Sequence, residues 1–310
     1  MPVSALPDLS SPLAVVCQDA GAANIVFAWL RALAAADAGV ARGWRVLAQG
    51  AAARLWAERP VALARTCSSV EEVLEGAAGL LTGTSWGGGL EHDARLVARA
   101  KGIASDAVVD HWVNYPERFA KNGGTALPDR ILVTDEHALL EAQRCFPGVA
   151  VQEYANTYLA EAVQAIRPLD AAAQELLYLL GPITAEREGD SRAEFETLNF
   201  FAANLPRIVG DARCRLRLRP HPSDPKGKYD EWIARHSALD AQLDAESTLT
   251  QAISRARWVA GAETYAMVVA LAAGREVISA LPPWIHRCRL PQREIVHLRD
   301  RVPVELRPTA

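Results

Sequence analysis

Short apolar runs alternate with longer helical patterns along the whole chain, and this alternation is what most constrains the fold. The first apolar run, LAVVCQ at residues 13–18, leads through a polar turn into IVFAWLRALAAA, a stretch typical of a helix. Apolar runs that recur between helical segments are typical of parallel strands joined by crossover helices. The sequence therefore predicts an α/β fold with Rossmann-like, doubly wound parallel sheets.

The alternation runs through the first half of the chain and then starts again. The segment RPLDAAAQ at residues 167–174 is predicted to be a linker, and ELLYLLGPI at 175–183 is predicted to be the first strand of the second half. A length of 310 residues also favours two domains. We expect a Rossmann-like domain over residues 1–166 and another over 175–310, facing a common cleft.

Composition excludes several classes of protein. The net charge of −4 and the scattered arginines weigh against a nucleic-acid binder, whose surface usually carries a basic patch. The five cysteines show no CxxC pair and no His/Cys cluster, so neither a disulfide framework nor a metal site is expected. The first residues lack the features of a signal peptide, and no apolar run reaches the roughly 18 residues of a membrane span. We expect a cytoplasmic protein without metal or cofactor; contact with a membrane surface and the oligomeric state are left open.

Polar residues are concentrated where predicted strands end. In doubly wound sheets ligands bind at the carboxyl ends of the strands, so polar groups there are candidates for function. The polar strand ends are residues 19–24, 82–86, 110–115, 134–136, 219–222 and 261–264. Any one of them could be a simple turn or helix cap. Their number in one chain favours an enzyme.

The most informative strand end is RPHP at residues 219–222, which closes the predicted strand 213–222. His221 stands between two prolines, which restrict the backbone and present the imidazole from a stiff turn. A histidine beside Arg219 at a strand end is suited to holding a phosphate. The alternative is a prolyl turn with a solvated histidine.

This His-Pro pair after a second-domain strand resembles a motif of the GT-B fold. Enzymes with that motif include bacterial sialyltransferases and other CMP-sugar transferases, CDP-glycerol glycerophosphotransferases and UDP-N-acetylglucosamine 2-epimerases. In the CMP-sugar and CDP-glycerol enzymes the histidine contacts the phosphate of the donor nucleotide. The resemblance implies the same role for His221, with Arg219 as a neighbouring candidate.

A second resemblance lies in residues 260–279, AGAETYAMVVALAAGREVIS, which are similar to the strand, turn and helix of GT-B second domains. The backbone amides at the start of such a helix, with the Thr264 hydroxyl, would hold a phosphate. The alternative is a plain strand-to-helix connection. Many UDP-sugar transferases carry a ribose-binding glutamate where this chain has Val269; Glu263 is a candidate substitute, and the departure favours a CMP-type donor. We assign Gly261, Glu263 and Thr264 to donor binding.

In the first half, DAGAAN at residues 19–24 resembles the first glycine-rich loop of GT-B enzymes, which faces the acceptor. Asp19 is similar in position to the general base of GT-B sialyltransferases, although it could instead cap the following helix. Gly21 and Asn24 are assigned to acceptor binding. NAD binding is not expected, because a dinucleotide fingerprint needs a glycine in place of Ala23.

Two further loops are rich in hydroxyl and aromatic residues: TGTSWGGG at 82–89 and DHWVNY at 110–115. Aromatic rings stack on sugar faces while polar groups bind hydroxyls, so both loops suit a carbohydrate; core packing of Trp112 is the alternative. Asp110 and His111 are reserve candidates for the general base. The residues assigned to acceptor binding here are Thr84, Ser85, Trp86, Trp112, Asn114 and Tyr115.

The leading hypothesis is an inverting, metal-independent glycosyltransferase. It would move a sugar from a nucleotide-activated donor, with a CMP-type donor favoured, to a glycan or another hydroxyl acceptor. Closure of the cleft would protect the activated donor from water. Two alternatives stay open: an epimerase or hydrolase similar to UDP-N-acetylglucosamine 2-epimerase, and a non-catalytic module that binds a glycan or a nucleotide.

Overall fold

The computed structural model describes residues 6–85, 88–121, 123–181, 183, 192–210, 212–221, 224–244 and 247–302. The chain divides into two compact units, unit 1 (Met1–Ala160) and unit 2 (Glu161–Ala310). Each unit is built on a parallel sheet, with helices between most of the successive strands. The predicted α/β fold with two parallel-sheet domains is confirmed.

The described part of unit 1 contains a seven-stranded sheet in the order β3-β2-β1-β4-β5-β8-β9, with every pairing parallel. Its strands are β1 (Leu13–Cys17), β2 (Trp44–Ala48), β3 (Arg65–Thr66), β4 (Gly79–Thr82), β5 (Ala104–Val108), β8 (Arg130–Val133) and β9 (Ala150–Glu153). A separate antiparallel hairpin pairs β6 (Ala120–Lys121) with β7 (Gly124–Thr125).

The helices of unit 1 connect these strands. They are α1 (Ala20–Ala36), α2 (Gly50–Glu58), α3 (Val70–Leu74), α4 (Leu90–Ala100), α5 (Tyr115–Phe119), α6 (Glu136–Cys145) and α7 (Thr157–Ala165), the last of which continues into unit 2. A 3-10 turn, Val40–Gly43, precedes β2.

The first strand is buried on both faces of the sheet, which explains its continuous apolar sequence. Val15 and Cys17 pack into the core cluster that includes the inner face of α1. Ala14 and Val16 point to the other face, where they join a cluster with residues of α3 and α4. A strand covered on both faces needs apolar residues at every position, and all five of its residues are buried.

The described part of unit 2 contains a six-stranded sheet in the order β12-β11-β10-β13-β14-β15, again with every pairing parallel. Its strands are β10 (Glu175–Leu179), β11 (Arg215–Arg219), β12 (Ala241–Leu243), β13 (Ala256–Gly261), β14 (Glu276–Ser279) and β15 (Val296–His297). Its helices are α8 (Arg192–Ala203), α9 (Pro206–Val209), α10 (Asp230–Arg235), α11 (Leu249–Arg255) and α12 (Tyr265–Ala272), with a 3-10 turn at Leu298–Asp300.

The order of the strands places a switch point in each sheet. The chain winds outward from β1 through β2 on one side and through β4 on the other; in unit 2 it does the same from β10 through β11 and β13. In such sheets the helices on either side of the central strands diverge, and ligands bind outside the carboxyl ends of those strands. The ends of β1 and β4, and of β10 and β13, are therefore where ligand sites are expected.

Two further features of the described residues concern the environment of the protein. None of its helices has both the length and the apolar character needed to cross a bilayer. The five cysteines are free thiols. Burial raises the pKa of each of them, and at Cys17 the charge of Glu91 adds to this effect.

Candidate functional site

His221 lies at the carboxyl end of β11 on an exposed turn. Its backbone N–H donates to Asp224 Oδ2 at 2.8 Å, and the Asp224 N–H donates back to the His221 carbonyl at 2.9 Å. The imidazole lies beside Gly181, which follows β10: a Cβ at that glycine would be 3.9 Å from Cδ2 of His221. Pro222 lies outside the described residues. The imidazole is thus held at the ends of two neighbouring strands.

Arg219, the last residue of β11, is half-buried and turned toward the chain that follows β12. Its guanidinium donates to the Ser247 carbonyl at 2.7 Å and lies 3.5 Å from the Asp244 carbonyl. Burial lowers the pKa of Arg219, and the charge of Asp244 acts in the opposite direction. Arg219 therefore tethers a neighbouring loop in this conformation; its contact with a phosphate stays a prediction.

The turn after β13 brings the backbone close to the end of β10. A Cβ at Gly261 would lie 3.1 Å from the Leu179 carbonyl oxygen and 3.3 Å from Met267 Sδ, so only glycine fits without a shift. Thr264 occupies the N-cap position of α12 in an extended conformation. The first turn of α12 therefore begins at the carboxyl end of β13, next to the switch point.

Glu263 anchors a second loop to this turn. Its carboxylate accepts hydrogen bonds from the Arg289 guanidinium at 3.2 Å, from the Arg289 backbone N–H at 3.0 Å and from His286 Nε2 at 2.9 Å. Burial acts to raise the pKa of Glu263, but the hydrogen bonds from Arg289 and His286 outweigh it and the pKa is lowered. His286 and Arg289 were not predicted from the sequence as partners of Glu263. Both carboxylate oxygens of Glu263 bond to these residues. Ribose binding by Glu263 stays a prediction.

In unit 1, Asp19 is the N-cap residue of α1, directly after β1, and it is half-buried. Within the described residues its side chain makes no capping hydrogen bond to α1, and the same is true of Thr264 at α12. Ser69, Asp135 and Thr248 do cap α3, α6 and α11 with their side chains. The two helices that start at the switch points thus begin with residues that are favoured at N-caps, Asp19 and Thr264, but neither side chain bonds to the first turn of its helix.

Three strand ends of unit 1 meet around Asp110. Its Oδ1 accepts a hydrogen bond from Arg118 Nη1 at 2.8 Å, and the same nitrogen donates to the Thr84 carbonyl at 3.1 Å and to the Thr84 hydroxyl at 3.3 Å. Its Oδ2 lies against Gly21, where an added Cβ would come within 1.8 Å of that oxygen. Asp110 therefore packs directly on the first turn of α1, and the ends of β1, β4 and β5 are joined there.

Glu91, in the first turn of α4, was not predicted from the sequence. It is 2% exposed, and its carboxylate accepts from the Gln18 backbone N–H at 2.7 Å and from the Ser85 hydroxyl at 2.8 Å. Burial raises the pKa of Glu91, the two hydrogen bonds oppose the shift, and the nearby Asp19 charge adds to it. The sequence signal that could have identified Glu91 is its position just after the glycine-rich loop at residues 82–89. Glu91 fixes Ser85 and the end of β1 in place.

In the segment at residues 110–115 the first five residues are half-buried and the last is buried. Trp112 Nε1 donates to Asp135 at 2.9 Å, and the His111 and Trp112 rings are 5.4 Å apart. Asn114 adopts a left-handed conformation with φ 61° ahead of α5. Tyr115 is buried, burial raises its pKa, and its hydroxyl lies 3.4 Å from the Ala138 carbonyl. Tyr115 therefore packs as a core residue in this conformation.

The structure brings two groups of the predicted residues together. Asp19, Gly21, Thr84, Ser85 and Asp110 gather at the ends of neighbouring strands in unit 1, and Asn24 follows on α1, half-buried. In unit 2, His221 follows β11, Gly261 ends β13, and Glu263 and Thr264 follow β13; these two strands are the neighbours of β10. Trp86 lies outside the described residues. Over the part of the chain that is described, no cluster of three or more His, Cys, Asp and Glu side chains has a metal-binding arrangement.

Comparison with known proteins gives likeness in structure alone. No protein-family model matches the chain, and no curated protein matches it in sequence. The UDP-GlcNAc 2-epimerase of Methanocaldococcus jannaschii is 13% identical, with a TM-score of 0.57 over 86% of this chain and 83% of that one. The UDP-GlcNAc 2-epimerase of Neisseria meningitidis, solved bound to UDP-GlcNAc, is 11% identical, with a TM-score of 0.60 over 86% and 82%. The S. aureus MnaA–UDP complex is 11% identical, with a TM-score of 0.60 over 87% and 79%.

These likenesses extend over most of the chain and through both units. At such low identity they establish the fold, and the chain has the GT-B fold that the His-Pro motif led us to expect. They give no support to a CMP-type donor.

Proposed function

We propose that this chain is an enzyme that binds a nucleotide-activated sugar in unit 2 and transfers the sugar to a hydroxyl acceptor. The observation that carries the proposal is the arrangement at the carboxyl end of β10. His221 follows one neighbour of that strand, and the N-terminus of α12, with no side-chain cap in the described structure, follows the other.

This arrangement suits the phosphate groups of a nucleotide. The first-turn amides of a helix are donors without intrahelical partners, and the helix dipole favours negative charge at the same place. The imidazole that follows the other neighbour of β10 adds a second donor, which would stabilise the charge developing on a leaving nucleotide. Gly181 and Gly261 present no side chain at the ends of β10 and β13, so a ligand can approach the backbone there.

The acceptor half of the proposal rests on unit 1. Asp19 is half-buried at the carboxyl end of β1, and in the proposal its carboxylate takes the proton from the acceptor hydroxyl. Asp110 is held by Arg118 and by the first turn of α1, so we assign it to positioning. Thr84 and Ser85 bond to Arg118 and Glu91, and in the proposal they shape the site.

The nucleotide is proposed to be a pyrimidine nucleotide. Val269, in place of the ribose-binding glutamate of many UDP-sugar transferases, favours a CMP-type donor. Two of the structural neighbours were solved with UDP-GlcNAc or UDP, which favours a UDP-type donor. We place the UDP-type donor first because a second phosphate can use both the histidine and the helix N-terminus.

A second candidate, epimerisation of the sugar nucleotide, is favoured by one specific observation. Two of the structural neighbours described above, with TM-scores of 0.57 and 0.60, are UDP-GlcNAc 2-epimerases. An epimerase works on the same donor without an acceptor, so the two candidates share the nucleotide site and differ in what happens to the sugar.

One experiment separates these functions. The protein is incubated with UDP-, CDP- and CMP-sugars, with and without a mixture of glycan acceptors, and nucleotide release and sugar configuration are followed. Release that rises with acceptor supports transfer. A changed sugar without release, or release independent of acceptor, supports the epimerase or hydrolase. Binding without any reaction would leave a binding module.

A further inference from the structure

A nearly buried group of four polar side chains lies behind the His221 turn, and the proposed function does not use it. Glu194, Asp224, Lys228 and Tyr229, which we call the Asp224 network, bond to one another. Three of them belong to the segment after β11, and Glu194 belongs to α8, the helix that follows β10. None was selected from the sequence.

Asp224 connects the network to His221 itself. Its Oδ2 accepts the His221 backbone N–H at 2.8 Å and the Tyr229 hydroxyl at 2.7 Å, while its Oδ1 accepts from Lys228 Nζ at 2.7 Å. The Asp224 side chain is 6% exposed. Burial acts to raise its pKa, but the hydrogen bonds from Lys228, Tyr229 and His221 outweigh it and the pKa is lowered. The ionised carboxylate thus fixes the backbone that presents the imidazole.

Lys228 and Tyr229 carry the connection across to α8. Lys228 Nζ lies 2.6 Å from Glu194 Oε2, and the Tyr229 hydroxyl, whose single proton goes to one carboxylate at a time, also contacts Glu194 Oε1. The Glu194 side chain is only 4% exposed, and Lys228 lies 5.1 Å from the centre of the Tyr229 ring. A buried carboxylate and ammonium must be paired to be tolerated, so these bonds hold each other in one arrangement.

The two ends of the network lie on the two segments that flank the end of β10. The His221 turn follows β11, and α8 follows β10; Gly181, two residues beyond the end of β10, lies beside the His221 ring. We propose that the Asp224 network positions His221 for the substrate phosphate by tying the turn after β11 to α8. This inference rests on the proposed function, and its residues are positioning residues because none is placed against the substrate.

The first test compares nucleotide affinity among variants, with UDP as the probe in calorimetry on the full chain. Asp224→Ala removes the acceptor of the His221 N–H, and we expect affinity to fall by about tenfold or more, since a hydrogen bond to a charged group is lost. Asp224→Asn keeps an acceptor oxygen and should recover most of that loss. Glu231→Gln is the matched control, because it removes a carboxylate of the same segment that is 84% exposed.

Glu194→Gln tests whether the Asp224 network connects α8 to His221. It also provides a second variant in case the Asp224 variants do not fold. Glu194 is connected to His221 through Lys228, Tyr229 and Asp224, so weakened UDP binding in a folded Glu194→Gln protein supports positioning. Amide hydrogen exchange at residue 221 is the second measurement, and it should be faster than in the wild type. A purely structural role would lower the melting temperature and leave both measurements unchanged.

The outcomes separate the two proposals. If folded Glu194→Gln and Asp224→Ala proteins bind UDP as tightly as the wild type, the network inference is overturned and the nucleotide site stands. If the wild type binds none of the pyrimidine nucleotides, the proposed function fails and the network inference fails with it.

Discussion

Asp110 and Arg118 form an ion pair with 2.8 Å between Oδ1 and Nη1, and the two side chains are only 15% and 8% exposed. The pair lies where three strands end, and its arginine also holds the backbone of the loop after β4. One carboxylate oxygen of Asp110 is thus held by Arg118, and we therefore assign Asp110 to positioning. The proposed base, Asp19, follows β1 at the start of α1.

Asp19→Asn should keep UDP affinity and lose about a hundredfold or more of the turnover, because the amide keeps the shape but cannot accept a proton. Turnover with the donor and acceptor found in the screen is the measurement. Because asparagine has nearly the same size and is equally favoured at an N-cap, the melting temperature should stay close to that of the wild type. A near-normal rate in this variant, with a large loss in Asp110→Asn, would move the base to Asp110.

Asp110→Ala should destabilise the fold, because it leaves the Arg118 guanidinium nearly buried without its carboxylate. Removing one partner of a buried pair typically costs about 3–5 kcal/mol, and partial exposure places this pair at the lower end. Urea unfolding gives the free energy. Asp240→Ala is the control: its pair with Arg215 is 4.0 Å long and exposed, so its loss should cost about 0.5 kcal/mol or less.

His221→Ala should weaken UDP binding by about tenfold or more and barely change the melting temperature, because the residue is exposed and its removal takes a donor from the phosphate. Calorimetry with UDP is the measurement. His137→Ala removes another exposed histidine, in unit 1, and should bind UDP normally. Equal affinity in the two variants would show that His221 does not contact the nucleotide.

Gly21→Ala should be destabilising by about 1–3 kcal/mol, the usual cost of overpacking, because the new Cβ would come within 1.8 Å of Asp110 Oδ2. In the double variant with Asp110→Ala the clash is gone. Its loss of unfolding free energy should therefore be smaller than the sum of the losses in the two single variants. Gly148→Ala, where an added Cβ meets nothing within 4 Å, is the control. Strictly additive costs would contradict the packing of Asp110 on α1.

Glu91→Gln should gain stability relative to the wild type as the pH rises from about 4, near the ordinary carboxyl pKa, to about 8. The folded-state pKa of Glu91 is raised by burial, so its protonated form favours folding below the unfolded-state pKa, and this contribution is lost as the pH rises through the folded-state pKa. Glutamine does not titrate and keeps an acceptor for Ser85. Urea unfolding at the two pH values measures the difference; parallel pH profiles for the two proteins would contradict it.

Much of the fold could be predicted from the sequence because its signals are local. The run at residues 13–18 is β1 (Leu13–Cys17), since a strand buried on both faces needs an unbroken apolar run. The predicted strand 213–222 is shorter, Arg215–Arg219, because it ends before Pro220. The strands at Ala241–Leu243 and Val296–His297 were not predicted, since two or three residues are too few to show a period.

The types of residue at the candidate site could be predicted from the sequence, but their hydrogen-bond partners could not. The polar strand ends mark Asp110 and Ser85, but Arg118 reaches Thr84 across 34 residues and Glu91 reaches Gln18 across 73. Such pairs depend on the order of strands in the sheet, which no local spacing encodes. The same holds for Glu194 and Lys228, which are 34 residues apart.

Capping shows the same limit on a smaller scale. Ser69 and Glu72 have the spacing of a capping box, and Ser69 does accept the Glu72 N–H, but the Glu72 carboxylate accepts from Ser68 instead of Ser69. Thr248 and Gln251 have the same spacing and form the complete box. Spacing predicts which residue starts a helix, and the geometry of the preceding turn decides which amide the second partner reaches.

The extended but non-capping Thr264 has a consequence for how a bound nucleotide would be detected. A phosphate at the start of α12 would take the place of a side-chain cap on this eight-residue helix. Binding of the nucleotide would therefore change the properties of the helix itself. Amide resonances of the first turn would move downfield, and α12 would fray less. Spectroscopy on these few amides would therefore report the ligand before any product is formed.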